Sequence, residues 1–372
     1  MKIDVERNDL LRVMSRAQSI VERRTTIPIL SNILIEAHDN KVSCRTTDLD
    51  IEIIDMLEAT IEGSGAVTVN ANTLYEIVRK LKEGARLNLQ YDQQKGRLEL
   101  RSGRSSFSLA TLSKDDFPMM ASSEYECNFS IPSNDLRRLL EKSKFAMSSE
   151  ETRYYLNGVY LHCSEEDGKK VLRAVATDGH RLARIDCDLP DTADQIPGVI
   201  IPRKTVGEVR SILDGIEERI AVSVSPNKIR FSNSGTTITS KVIDGTFPDY
   251  SRVIPKDNKN RMEVDADEFS KAVDRVSTVS LDKARAVKLI LSEDKLLLSV
   301  NSPESGAANE ELIVAYSDEK IEIGFNAKYL QELASQVEKE NAVFFFKSSG
   351  DPALMQEGKD DSAIYVVMPM RV

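Results

Sequence analysis

Along DVERNDLLRVMSRAQSIV (4–21) the apolar residues Leu10, Leu11, Met14, Ala17 and Val21 recur at steps of three and four, while the intervening positions are polar. That spacing predicts an α-helix with one apolar face, for which Asn8 or Asp9 offers an N-cap side chain. Elsewhere the period is two. ILIEA (33–37), LNLQY (87–91), RLELRS (97–102), RIAVSVS (219–225), LLLSVN (296–301) and AIYVVM (363–368) alternate and read as strands with one buried face. A helix with a single apolar stripe must pack on something, and half-apolar antiparallel sheets supply the partner. The pattern predicts an α+β fold.

The helix-plus-strand phrase is written three times: KIDVERNDLLRVMSRAQSI (2–20), NFSIPSNDLRRLLEKSKFAM (128–147) and RMEVDADEFSKAVDRVSTVS (261–280), with Leu10, Leu136 and Phe269 in register. A second phrase recurs in each block, AVTVNANTLYEIVRKL (66–81), GVIIPRKTVGEVRSIL (198–213) and KIEIGFNAKYLQELAS (320–335), with Leu74, Val206 and Leu330 in register. The two anchors are 64, 70 and 61 residues apart, a spacing kept to within about one loop insertion. SFSLATLSKDDFP (106–118) and TITSKVIDGTFP (237–248) echo one another as alternating strands ending in Phe-Pro. A unit of this length exceeds the roughly 20 to 50 residues of a solenoid repeat and can hold its own core. Three tandem domains are expected, 1–126, 127–257 and 258–372, each with two helices on antiparallel sheets, joined through the polar stretches SSEYE (122–126) and PKDNKN (255–260).

Hydrophobic residues at 41% and charged residues at 30% describe an ordinary globular protein. No run approaches 18 apolar residues and the chain is polar from Lys2, so neither a membrane span nor a secretory signal is expected. Cys44, Cys127, Cys163 and Cys187 show no CxxC spacing, and three histidines cannot complete the usual zinc sets. The expectation is four buried thiols in a reducing cytoplasm, with no metal and no cofactor.

The net charge of −10 argues at first against nucleic acid. The charge is segregated, however. Residues 6–17, 71–82, 134–146 and 203–213 carry +1, +2, +2 and +2, whereas 265–276 and 328–338 carry −2 and −1. If the helices of all blocks share a surface, it is mildly basic and the remainder strongly acidic; solvated helix faces explain the same counts without any partner.

Five strings now coincide with the threefold repeat: RTTIPILSNILIE (24–36), RYYLNG (153–158), ATDGHRLA (176–183), FPDYSRVIP (247–255) and YVVMPMR (365–371). Together they resemble the bacterial DNA polymerase III β subunits, the sliding clamps, over essentially the whole chain and in order. The resemblance implies a homodimer closed head to tail into a six-domain ring, helices lining the hole, with no chemistry of its own. Such a ring is held on duplex DNA by topology, so its phosphate contacts stay weak and sequence-independent while it slides with the polymerase. Lining candidates are Arg7, Arg12, Arg16, Arg79, Lys80, Arg137, Arg138, Lys142, Arg203, Lys204 and Arg210, with Arg24 reaching toward DNA from its loop. Block three is expected to add little.

The resemblance also implies an apolar groove for short peptides ending in Leu and Phe, borne by the polymerase III catalytic subunit, the clamp loader, other polymerases and repair proteins. Thr177, Gly179, His180, Arg181 and Leu182 form one wall; Leu156, Pro248, Arg252, Val253, Val366, Val367, Met368, Pro369, Met370 and Arg371 complete it; Asn326 and Tyr329 border it. Read locally, Asp178-Gly179 is a hairpin turn with glycine supplying a positive φ, and AIYVVMPMRV is a last core strand. Pro369 belongs at a strand end, and Met368 and Met370 suit varied ligands. For the dimer interface the resemblance points to Arg97, Arg104 and Val279, with Glu304, Glu310 and Glu311 as opposing charges. Small residues nearby, Ser106 and 306–308, leave little for ion pairs to add.

Two other classes compete. Asp178 and His180 beside Asp48 and Asp50 resemble the acidic set of a metal-assisted nuclease if TDLDIE (47–52) places both carboxylates on one strand face. No GxSxG, P-loop or GxGxxG accompanies them, and solvent-facing alternation explains them equally, so no catalysis is expected. An acidic scaffold that mimics DNA would use the surface charge without a ring.

Overall fold

The computed structural model describes residues 1–22, 26–121, 124–166, 168–280, 285–303, 305–338 and 341–372. Each block places its two phrases on helices: α1 Arg7–Ile20 and α2 Ala71–Lys80, α3 Ser133–Lys144 and α4 Arg203–Leu213, α5 Ala266–Ser277 and α6 Ala327–Ala334. The six anchors Leu10, Leu74, Leu136, Val206, Phe269 and Leu330 are all at most 1% exposed, because they sit in the apolar stripe that drives each helix onto its sheet. Helix α1 begins ahead of both capping candidates. Glu6 occupies the N-cap without a side-chain bond, and Asp9 lies inside the first turn, where its charge suits the helix dipole. In α2, α5 and α6 the caps are made by Asn70, Asp265 and Asn326.

Chain contacts form two compact units, Met1–Asn134 with Pro190–Pro197 and Lys204–Val242, and Asp135–Leu189 with Gly198–Arg203 and Ile243–Val372. The first is built on a 13-stranded antiparallel sheet running from Cys127–Pro132 at one edge to Ala59–Gly63 at the other. Its core joins Ile3, Leu10, Val13, Met14, Leu74, Val78, Leu87 and Leu100 beneath α1 and α2. At its middle, Ile51–Leu57 of the first block pairs with Thr236–Lys241 of the second, Ile53 opposite Ile238.

The second unit holds an 8-stranded sheet and a 4-stranded sheet. In the larger, Arg181–Asp188 of the second block pairs with Asp360–Val367 of the third, Ala183 opposite Tyr365. All six alternating strings of the sequence fall on strands, the last of which ends one residue short of Met368. All four cysteines are free; Cys44 and Cys127 are buried, but Cys163 and Cys187 are only half-buried, each in the second half of its strand where burial falls away. Among the described residues no helix is long and apolar enough to cross a membrane.

Candidate functional site

The hairpin between Lys169–Thr177 and Arg181–Asp188 turns on a dense set of side-chain caps. Thr177 Oγ1 donates to the Arg181 carbonyl at 2.7 Å and accepts from Gly179 N at 3.1 Å. Asp178 Oδ1 accepts from the backbone of His180 and Arg181 at 2.9 and 3.0 Å. Gly179 has φ 88°, a conformation that favours glycine, and a Cβ there would stand 2.9 Å from the Arg153 guanidinium, which would have to shift.

The turn delivers Arg181 into the protein. Its Nε donates to Asp178 at 3.1 Å, its two NH groups reach Glu332 and, at 2.6 Å, the Phe145 carbonyl, and its plane lies over the rings of Tyr329 and Phe145 at 4.4 and 5.1 Å. Burial disfavours its charge and the Asp178 carboxylate opposes that, leaving its pKa lowered. His180 remains outside and stacks near Tyr329.

A cavity of about 160 Å³ opens beside this turn, lined by Leu156, Thr177, Gly179, Arg181, Leu182, Pro248, Asp249, Tyr250, Val253, Val366 and Met368. The structure therefore gathers nine of the predicted groove residues from four separate segments. Sequence reasoning misses two, Asp249 and Tyr250, although both lie in FPDYSRVIP. A tyrosine between a proline and an arginine reads as loop filler until its neighbours are known. A larger cleft of about 610 Å³, lined by Arg252, Val253, Lys347, Asp351 and Met368 among others, adjoins it through Val253 and Met368.

The tail runs past the cavity. Met368 N donates to the His180 carbonyl at 2.8 Å and Met370 N to the Gly324 carbonyl at 2.9 Å, so residues 368–370 run from the hairpin turn to the edge strand Ile321–Asn326 of the 4-stranded sheet. Gly324 leaves room for this crossing, since a Cβ there would stand 2.6 Å from the Met370 carbonyl oxygen and 2.4 Å from Val372. Val367 is fully buried and lies outside the cavity lining, whereas Val366 beside it on the same strand is part of it. Asn326 serves as the cap of α6, accepting from Lys328 N and Tyr329 N. Pro369, Met370 and Arg371 lie on the tail beyond the cavity lining.

Most of the basic residues expected on a shared helical surface are tied to their own chain. Arg7 donates to the carbonyls of Val78 and Arg79 at the end of α2, at 3.1 and 2.7 Å. Arg16 is held by Asp55 at 2.5 Å and Thr236 at 2.7 Å and is largely buried. Arg138 binds the Asp186 carbonyl, Asp360 and Ser362, and Lys142 binds the Gln336 carbonyl, Glu338 and Glu357. Arg203 donates to the carbonyls of Met147 and Ser148, and Lys204 to Ile20 and Asp48. Arg79 and Lys80 share Glu76 on the surface, Arg137 and Arg210 are half-buried, and Arg12 is exposed. Arg24 and Glu304 lie outside the described residues.

The nuclease geometry does not form. Asp48 and Asp50 lie in a turn between strands and not on one strand face; Asp48 accepts from Asp50 N and Ile51 N and pairs with Lys204, while Asp50 pairs with Lys241. Among the expected interface residues, Arg97 donates to the Ser108 carbonyl, Arg104 is exposed and Val279 half-buried. Glu310 is bonded by Arg275 and Glu311 by Lys295, so both acids are already paired within the chain. Among the described residues, no three His, Cys, Asp or Glu are placed to hold a metal ion.

Models of the three domains of the DNA polymerase III beta subunit match the chain end to end: the N-terminal domain at residues 1–121, the central domain at 130–249 and the C-terminal domain at 251–371. The beta sliding clamp of Caulobacter vibrioides is 48% identical over 372 residues, the whole of both chains. Solved clamps from Bartonella birtlesii, bound to griselimycin, and from Caulobacter crescentus superpose over the whole of both chains with TM-scores of 0.96 and 0.93 at 44% and 48% identity. With the threefold α+β repeat, the full-length matches place this chain in the family of bacterial DNA polymerase III beta subunits, the beta sliding clamps.

Proposed function

We propose that two copies of this chain close head to tail into a six-domain ring around duplex DNA and tether the replicative polymerase and other proteins through short peptides. One observation carries the closure. At each junction between blocks, the strand after the block's turn pairs with the last strand of the next block: Ile51–Leu57 with Thr236–Lys241, and Arg181–Asp188 with Asp360–Val367. The same rule leaves Gly306–Ile313 of block three and Ser105–Leu112 of block one in need of each other. Gly306–Ile313 is paired along one edge only, and Ser105–Leu112 meets Gly65–Asn70 through just two residue pairs. Both alternate half-buried with exposed residues along their length. A second copy supplies the missing pairing at both ends, a heterologous contact that closes after two subunits.

Apolar packing supports the same contact. Ile77 and Leu81 at the end of α2 form, with Phe107, a cleft of about 630 Å³ beside the open edge. Sedimentation at micromolar concentration is expected to give twice 41.5 kDa, and Phe107→Asp a monomer. A wild-type monomer under those conditions would count against the ring.

The expected domains are 1–126, 127–257 and 258–372, and α1 to α4 are the DNA-facing helices. Their cations, mostly hydrogen-bonded within the chain, would present a diffuse positive field to phosphate, with Arg12, Arg79 and Lys80 exposed enough to approach it. Diffuse attraction suits sliding; a rigid, fully matched set of phosphate clamps would oppose it. The cavity beside Arg181 takes the apolar end of a partner peptide. That a relative at 44% identity is solved with griselimycin supports a family that takes small ligands. The protein works in the cytoplasm and is not a catalyst: incubation with duplex DNA and Mg²⁺ should leave the DNA intact, and cleavage that vanishes in Asp48→Ala would refute this.

A further inference from the structure

Behind the cavity stands a group of packed rings. Tyr160 stacks on Phe247, with centroids 4.9 Å apart and planes 8° apart, and on His162 at 4.5 Å and 24°. Tyr250, which lines the cavity, meets Phe247 edge-on at 6.4 Å and His162 at 5.8 Å. Gly198 makes the space for Tyr160, since a Cβ there would stand 2.3 Å from the Tyr160 hydroxyl.

Hydrogen bonds give this group a direction. His162 Nδ1 lies 2.8 Å from the Cys163 carbonyl oxygen, which only accepts, so Nδ1 carries the proton. Burial lowers the pKa of His162 and keeps the ring neutral. Its Nε2 is therefore an acceptor, and the Tyr250 hydroxyl, 3.0 Å away, donates to it. Arg173 approaches the same phenol oxygen at 3.4 Å and donates to both oxygens of Asp186 at 2.7 and 2.8 Å. Arg173 and Asp186 are buried, so their pairing is fixed by the sheet.

We propose that His162, backed by the Arg173–Asp186 pair, is a positioning element that fixes the Tyr250 ring and so the shape of the cavity floor for the apolar anchor of an incoming peptide. It touches no peptide itself. The proposal rests on the peptide-binding reading of the groove. A half-buried tyrosine lining an open cavity would otherwise exchange rotamers, and a ligand would have to immobilise it on binding. With the phenol already held, that ordering is complete before the peptide arrives.

The test uses the full-length protein and a fluorescein-labelled peptide ending in Leu-Phe, read by anisotropy. His162→Phe keeps the stacked ring and removes the acceptor; it is expected to weaken binding about fivefold to tenfold. His162→Gln, which restores an acceptor, should recover to within about twofold of wild type. Tyr250→Phe, which also removes the Arg173 contact, should lose at least as much as His162→Phe, and the double variant no more than Tyr250→Phe alone, because the bond between the two is shared. Wild-type affinity in His162→Phe, or losses that add in the double variant, would overturn the proposal. If His162→Phe fails to fold, Tyr250→Phe alone decides, since it must then bind several-fold more weakly. Deletion of residues 368–372 separates the two levels. If the deleted chain binds as wild type, the groove reading fails and the positioning role with it; if deletion abolishes binding and His162→Phe does not weaken it, only the positioning role fails.

Discussion

The turn at residues 47–51 and the turn at residues 177–181 are the same device in different surroundings. In each, a threonine hydroxyl bridges the ends: Thr47 Oγ1 donates to the Ile51 carbonyl at 2.9 Å and accepts from Leu49 N at 3.0 Å, as Thr177 does with Arg181 and Gly179. In each, an aspartate caps two backbone amides, and the third residue is left-handed, Leu49 at φ 79° and Gly179 at 88°. The two diverge at their last residue. The first ends in buried Ile51 and an ion pair from Asp48 to Lys204; the second ends in Arg181, which ties Asp178, Glu332 and Phe145 together beside a cavity. The repeat supplies a rigid hairpin, and two or three side chains decide whether it ends in packing or beside a cavity.

The largest effect expected concerns the tail beside the second turn. Deleting residues 368–372 removes Met368 from the cavity wall and the tail from Gly324; peptide binding should disappear while the dimer mass is kept, as sedimentation with anisotropy would record. The aspartates come next. Asp178→Ala and Asp48→Ala each leave two amides without their acceptor and should each cost about 1–3 kcal/mol in denaturant unfolding. Only Asp178→Ala should also weaken peptide binding, by roughly tenfold, because it releases the Nε of Arg181; equal losses from both would erase the distinction between the turns.

A smaller effect probes the left-handed position. Leu49→Gly relieves a strained conformation at some entropic cost in the unfolded chain and should raise stability by about 0.5 kcal/mol, whereas Gly179→Ala must lower it. The smallest is a pH effect on the unit behind the second turn. His162 has its folded pKa below the ordinary value of 6.5, so the unfolded chain takes up the proton more readily. Its contribution is fully present above pH 6.5 and is lost as the pH falls below that value. Thermal melts at about pH 7.5 and about pH 5 should show a loss that His162→Gln reduces.

Much of the fold is legible in the sequence because it rests on periodicity. Leu10, Leu136 and Phe269 recur at one position of one phrase, and all three are buried at the same place on α1, α3 and α5. The site is legible in part. Thr177, Gly179, Arg181 and Leu182 lie within one short string and carry their turn chemistry with them, but Tyr250 reaches the cavity only through contacts with Phe247 and His162 that no local pattern encodes. Val366 lines the cavity and Val367, next to it on the same strand, does not, a distinction that the run YVVMPMR does not announce. The repeated turn is hidden in the sequence, since TDLDI and TDGHR share only two residues and the similarity lies in backbone bonds. The helix cations look free for a related reason: sequence shows a charge and not its partner. Arg16 opposite Asp55, 39 residues away, is the clearest instance.

The measurement that bears most directly on the ring is retention on DNA. The protein is incubated with nicked circular plasmid, a bacterial clamp loader and ATP, separated from free protein, and the plasmid is then cut once. Retention on the circle and escape from the linear product is the result a topological clamp predicts; binding that survives linearisation, or none on the circle with an active loader, would contradict it.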